Sequence, residues 1–164
     1  MYDITLATVA DVDDISELLQ ANAPSQGGSL TGEFPPETVA RMVSGGMPVI
    51  VARREQRLVG VLFSAAKDNA AAPLSVKAMW VAWPGALSAY VYGPVCIADS
   101  ERGHGLLPRL YEALSARCHG REAVLFIRRD NLPSLRAHER LGMREVAGFT
   151  LEGFEYAVYS DGGH

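Results

Sequence analysis

Residues Ser100 to Leu114 read SERGHGLLPRLYEAL. An arginine is followed by two glycines around a histidine, and an amphipathic pattern begins at once. Apolar residues fall at positions 107, 110, 111, 114 and 118, which is one stripe of a helix, and Gly120 is the expected C′ residue that ends it. Upstream, Ala89 to Ile97 reads as a strand with Gly93-Pro94 inside it. Proline cannot donate to a ladder, so a bulge or local break is expected there. Downstream, Ala123 to Ile127 is a continuous apolar run with the pattern of a buried strand. Residues 95 to 127 therefore spell strand, helix, strand, which is usually a right-handed parallel crossover.

The loop in that unit lies at the mouth of a helix. The first N–H groups of a helix have no partner inside it, and the dipole adds partial positive charge. Together they form an anion site. Gly103 and Gly105 can take positive φ and let a ligand approach the backbone. Arg102 can add a charge-assisted contact. The guest that fits is a phosphate or a diphosphate. The motif is neither the GxxxxGK[ST] P-loop nor the GxGxxG dinucleotide fingerprint. Taken alone, it reads equally well as a turn that caps a helix.

The chain has 164 residues, 48% hydrophobic and 21% charged, a composition and length ordinary for one globular domain with a substantial core. We expect one domain over 1–164. A net charge of −4 makes no case for nucleic acid or an anionic membrane as partner, so an anion would have to be held by a local site. Cys96 and Cys118 form no CxxC pair, and no carboxylate or histidine cluster has ligand spacing, so no metal site is expected, and both read as buried thiols of a reducing compartment. There is no apolar run of about 18 residues and no secretory signal at the N-terminus, which makes the cytoplasm the expected location.

The remaining pattern is compatible with an α/β (α+β) chain. Ile4 to Ala7 is a short strand, and a helix follows through Val12, Ile15, Leu18 and Leu19 with Asp11 as its expected N-cap. Residues 22 to 37 form a long loop rich in Gly, Pro and Ser, and Pro36 can open a short helix. Residues 47 to 66 read as a hairpin with arms Val49–Ala52 and Leu58–Ser64. Residues 67 to 86 have no clear period, and Val76 to Trp83 is read as a strand or an irregular insertion. Asn131 precedes a helix that Pro133 can open and Gly142 can close. Two further strands are expected at Arg144–Ala147 and Phe154–Tyr159.

GPVCIADSERGHGLLPRL followed by DNLPSLRAHERLGM resembles the GNAT family, the Gcn5-related N-acetyltransferases that use acetyl-CoA. The family loop, (Gln or Arg)-x-x-Gly-x-(Gly or Ala), corresponds to Arg102-Gly103-His104-Gly105-Leu106-Leu107. The family's second segment runs from an Asn through a Tyr seven residues later to Leu-Gly-Phe, and here it is Asn131, His138 and Leu141-Gly142-Met143. The resemblance implies a single domain with a mixed, mostly antiparallel central sheet, a splayed parallel strand pair and helices on both faces. It implies that the backbone amides of Gly103, His104, Gly105, Leu106 and Leu107 cradle the CoA diphosphate, with Arg102 as a further cofactor contact, and that Val95, Cys96 and Ile97 bond the pantetheine arm. Asn131 would contact pantetheine, with Ser134 beside it. His138 stands where many members have the tyrosine that protonates the leaving thiolate, which makes it the expected catalytic residue. A histidine there packs on the helix face in the alternative reading. Leu107 replaces Gly or Ala and must turn into the core, and Pro108 supplies no N–H.

The acceptor side is expected in loop 22–37 and segment 67–86. Glu33 is the candidate for holding a cationic amine. Tyr92 and Trp80 or Trp83 are candidates for an apolar wall. No residue offers itself as general base. The expected activity is direct acetyl transfer from acetyl-CoA to a small-molecule or amino-acid-like amine. The alternative is a non-catalytic acyl-CoA sensor module. Residues 154–160, FEYAVYS, read either as a homodimer interface or as part of an internal hairpin.

Overall fold

The computed structural model describes residues 1–163 except 27, 29 and 31, so those positions of the long loop lie outside the described residues. The strands are β1 (Asp3–Leu6), β2 (Ile50–Arg54), β3 (Arg57–Ala66), β4 (Tyr90–Ile97), β5 (Ala123–Arg128), β6 (Arg144–Leu151) and β7 (Phe154–Ser160). The helices are α1 (Val12–Ala21), α2 (Pro36–Val43), α3 (Leu74–Ala82), α4 (Leu106–Arg117) and α5 (Leu132–Arg140). The strand order is β1-β2-β3-β4-β5-β7-β6. β1 with β2, β2 with β3, β5 with β7 and β6 with β7 pair antiparallel, and β4 with β5 pairs parallel. The fold is α/β with a mixed, mostly antiparallel sheet, as the sequence implied.

The chain forms two compact units, Met1–Ala65 with Gly93–Cys118, and Ala66–Tyr92 with His119–His164. In the first, β2 and β3 form a hairpin whose turn residues Glu55 and Gln56 both have positive φ, 52° and 69°, the twist that suits a two-residue hairpin. One face of this hairpin presents Val51, Val61 and Phe63, and Ile15, Leu18 and Leu19 of α1 and Val39 of α2 pack with them. On the other face Gly60 opposes Ala52. A Cβ added at Gly60 would come within 3.1 Å of Leu106 Cδ2 and 3.4 Å of Leu110 Cδ1. The missing side chain lets α4 lie close against β3. The buried stripe of α4 is Leu106, Leu110 and Leu114, continued by Cys118. It starts one residue earlier than the sequence reading had it, and Leu107 is only half-buried. Pro108 falls in the first turn, where no intrahelical bond is lost. The helix ends sooner than expected, with Cys118 as C-cap, so the C′ position is His119 (φ 51°) rather than Gly120 (φ 78°). Asp11 is at the N-cap of α1 but makes no cap bond there. Its carboxylate instead accepts from the Thr8 N–H at 2.8 Å, closing a capping box on the preceding 3-10 turn.

In the second unit, residues 74–82 are helical, which corrects the reading of 76–83 as a strand or irregular segment. Pro73 opens the helix. LSVKAMWVA is apolar nearly all round, so it has no one-face period by which to recognise it. The helix packs on β5 and β6. Its exit is fastened by Glu122, a carboxylate 8% exposed. Glu122 accepts from Trp83 Nε1 at 3.1 Å, from the Ala86 N–H at 2.7 Å and from the Ser160 hydroxyl. Burial raises its carboxyl pKa, but those hydrogen bonds outweigh it and hold the group below its ordinary value. β7 pairs with β5 on one side and β6 on the other, so FEYAVYS lies in an internal hairpin with both backbone edges in use.

Candidate functional site

β4 runs through Ile97 into a 3-10 turn, Asp99–Glu101, and then the glycine loop. Glu101 anchors this passage. It is 6% exposed, and it accepts from the Tyr2 hydroxyl at 2.6 Å and from Arg54 Nη1 at 3.0 Å. Those bonds, the Tyr2 hydroxyl first, hold its carboxyl below the ordinary range. Sequence reasoning missed this residue, because no local pattern distinguishes a buried glutamate from an exposed one. The Arg102 guanidinium is held by Asn22 Oδ1 at 2.9 Å and Asp99 Oδ1 at 2.8 Å. Asp99 thus shapes the turn, and Asn22 was not foreseen.

Gly103 and Gly105 have φ of 80° and 75°, and nothing lies within 4 Å of where a Cβ would be at either. The N–H groups of Gly103, His104 and Gly105 donate to no other described backbone group. Gly105 is the N-cap of α4, so the N–H groups of Leu106 and Leu107 are first-turn orphans as well. Exposed, left-handed, unfilled and rich in unpaired donors at the start of a twelve-residue helix, the loop fits a diphosphate. His104 is exposed at its tip. Val95 and Ile97 are half-buried along β4. Cys96 is 5% exposed, and burial pushes its thiol up to about 12, so it packs with the core and is no nucleophile.

In the second unit, parallel pairing of β4 with β5 is confined to Tyr90↔Ala123 and Val91↔Val124. Leu125 to Arg128 pair only with β7, and Tyr92 is the first residue of β4 past the last pair. Asn131 caps α5, its Oδ1 accepting from the Ser134 N–H at 3.3 Å. Pro133 stands in the first turn. At the other end, N–H groups of Gly142 and Met143 bond the carbonyls of Glu139 and His138 at 2.9 and 3.2 Å, a Schellman closure with Gly142 at φ 92°. This cap fixes the last turn of α5, which carries His138.

His138 is 2% exposed. Its Nδ1 lies 2.8 Å from the Ser134 carbonyl oxygen and 3.3 Å from the Ser134 hydroxyl. Its Nε2 lies 3.0 Å from the Tyr92 hydroxyl, and the two rings meet edge to face at 5.4 Å. A carbonyl can only accept, so Nδ1 carries the proton. In the neutral ring Nε2 then accepts, and the Tyr92 hydroxyl donates to it. Burial lowers the imidazole pKa, against a smaller opposing effect of the Ser134 carbonyl. Tyr92 is 3% exposed. Sequence reasoning selected both residues but gave them separate tasks. Glu33 is exposed and closes the long loop on Ser25, accepting from its N–H at 3.2 Å and its hydroxyl at 2.9 Å. Trp83 is bound to Glu122. No helix among the described residues is long and apolar enough to cross a membrane.

No family model matches the sequence, and no curated protein matches it. Solved structures do match over nearly the whole chain. A GNAT superfamily phosphinothricin acetyltransferase from Sinorhizobium meliloti, in complex with acetyl-CoA, superposes with a TM-score of 0.71 at 19% identity, over 97% of this chain and 86% of that one. A ribosomal-protein-alanine N-acetyltransferase from Brucella melitensis gives 0.73 at 19% identity, over 96% and 98%. An N-acetyltransferase from Staphylococcus aureus Mu50 gives 0.73 at 14% identity, over 98% and 97%. The chain has the fold of the GNAT acetyltransferases.

Proposed function

We propose that residues 1–164 act as one acyltransferase domain that uses acetyl-CoA as cofactor and acetylates a primary amine of a small or amino-acid-like molecule. The glycine loop at the start of α4 carries this reading. It offers five successive N–H groups, those of Gly103, His104 and Gly105 without a described backbone partner and those of Leu106 and Leu107 first-turn orphans, in a backbone opened by two left-handed glycines. That arrangement suits a diphosphate in a chain whose net charge is −4. Acetyl-CoA supplies the activated acetyl group and a sulfur leaving group. Residues 103–107 would bind its diphosphate through the backbone, with Arg102 held in place by Asn22 and Asp99. Val95 and Ile97 would offer backbone groups to the pantetheine arm, as an added strand does. Asn131 has an amide nitrogen left after its cap bond, and with Ser134 it would meet the same arm. His138 belongs to the chemistry together with Tyr92. The two buried thiols suit a reducing, cytoplasmic setting.

Calorimetry with acetyl-CoA and CoA tests the reading, alongside Gly105→Glu, which brings a carboxylate to the diphosphate position. Saturable wild-type binding that the folded variant loses is the expected result. Absence of binding by the wild type would end the proposal. A second reading, a non-catalytic acyl-CoA-binding module, is favoured by one feature: burial lowers the His138 pKa, which disfavours the protonated form that an acid would start from. Thiol release from acetyl-CoA in the presence of an amine panel separates the two.

A further inference from the structure

We propose that Tyr92 and His138 form a proton shuttle in which Tyr92 Oη is the catalytic group and His138 positions it and stores the proton. The inference rests on the transferase reading and supplies the general base which that reading lacks.

The argument starts from the tautomer. The Ser134 carbonyl, at 2.8 Å, fixes the proton on His138 Nδ1. Nε2 therefore presents a lone pair, and the Tyr92 hydroxyl donates to it at 3.0 Å. A hydroxyl that donates its one proton still has lone pairs with which to accept. The pair is thus arranged to take up a proton at the tyrosine oxygen as the tyrosine's own proton passes to the histidine. Each ring is carried by regular structure. Tyr92 lies on β4 one residue past the last parallel pair, and His138 is in the closing turn of α5, capped at Gly142. Of the titratable groups nearby in the chain, Glu139 beside His138 accepts from Tyr159 of β7 at 2.8 Å.

The proton balance closes. As the neutral amine attacks the acetyl carbonyl, a C–N bond forms and the nitrogen must lose one proton. Tyr92 Oη accepts it and passes its own to His138 Nε2. When the C–S bond breaks, the electron pair leaves with sulfur. His138 Nε2 returns its proton to Tyr92 Oη, and Tyr92 delivers one to the sulfur. The products are the amide and CoA thiol, and the pair is restored. One hydroxyl serves both transfers, and no external base or acid enters. In this scheme, the histidine at the family's tyrosine position does not remove the phenol from the site, because a phenol on the adjacent strand takes its place.

Two measurements test it on the whole protein. In Tyr92→Phe the ring volume is kept. Thiol release from acetyl-CoA with L-alaninamide, putrescine and an alanyl peptide should fall on the order of 10²-fold or more, while calorimetric binding of acetyl-CoA is unchanged. The wild-type rate should decline as pH falls through the His138 pKa, below the ordinary value of about 6.5, and the variant's residual rate should not follow that limb. Turnover by wild type that Tyr92→Phe retains in full overturns the shuttle and leaves the transferase reading standing. Acetyl-CoA binding with no turnover by wild type on any amine overturns both. Independently of activity, ¹⁵N-histidine NMR should show neutral His138 protonated on Nδ1, with its titration shifted by Tyr92→Phe. A neutral ring protonated on Nε2 would refute the donor direction on which the shuttle depends.

Discussion

Gly60→Val is the substitution that best tests how α4 is seated, because it touches the glycine loop only through packing. A Cβ at Gly60 would be 3.1 Å from Leu106 Cδ2, 3.4 Å from Leu110 Cδ1 and 3.5 Å from the Ala52 Cβ. For alanine the tightest contact is the end of a flexible leucine, and a shift of a few tenths of an ångström relieves it. Valine adds two more carbons on the same face, toward two leucines that are 2% and 0% exposed. Overpacking of this kind costs about 2 kcal/mol, or about 4–8 °C in Tm for a chain of this size. Leu106 is also the first residue of α4, so relief by moving the helix moves the N–H groups of the loop. The expected result is a lowered Tm and weaker acetyl-CoA binding in Gly60→Val, with Gly60→Ala near wild type in both. Thermal unfolding followed by circular dichroism and calorimetry read these out. A valine variant with wild-type Tm and affinity would show that α4 does not rest on β3 in the way described.

Further expectations follow from the buried groups. Glu122→Ala leaves Trp83 Nε1, the Ala86 N–H and the Ser160 hydroxyl without their acceptor, and should destabilise by about 3 kcal/mol in urea unfolding. Because the folded-state carboxyl of Glu122 is held below its ordinary value, its contribution is present above the unfolded value of about 4.3 and is lost as pH falls through the folded one. The wild type should accordingly lose more stability than Glu122→Gln in that acid window, and equal losses would contradict the assignment. Cys96 and Cys118 are 5% and 2% exposed, so a thiol reagent at mildly alkaline pH should label neither in the native protein and both in denaturant. Glu33→Gln should leave turnover on cationic amines unchanged if the carboxylate only closes the loop on Ser25, and a marked rise in KM would return it to the acceptor site.

The strand-helix-strand unit around the glycine loop was legible because each part has a local cause. A continuous apolar run, a stripe of period 3.6 and two glycines next to a helix start can be read without knowing the partners. The same holds for α5, where Asn131, Pro133 and Gly142 mark both ends. Residues 74–82 were not legible. A helix apolar nearly all round has the composition of a buried strand, and its identity is settled by what it packs on. Glu101, Glu122 and Asn22 were not legible for a related reason. Each is defined by partners at least 36 residues away and by burial, and no spacing in the sequence announces either.

Tyr92 and His138 show where that limit bears on chemistry. They are 46 residues apart, and each has an ordinary local reading, an aromatic in a strand and a histidine on a helix face. The resemblance directed attention to His138 because of its position in a motif, and it carried with it the role of the residue replaced. That transfer treats a motif position as if it owned a function. Acetyl transfer to an amine requires a group that can accept a proton from nitrogen and yield one to sulfur, and a fold can supply it from any element that reaches the place. Here the Ser134 carbonyl decides the matter. By holding the proton on Nδ1 it makes Nε2 an acceptor, and an acceptor beside the Tyr92 hydroxyl gives the phenol a reason to be where it is. In the proposed shuttle a main-chain oxygen, which has no identity in the sequence, thus selects which of the two side chains would be the working group.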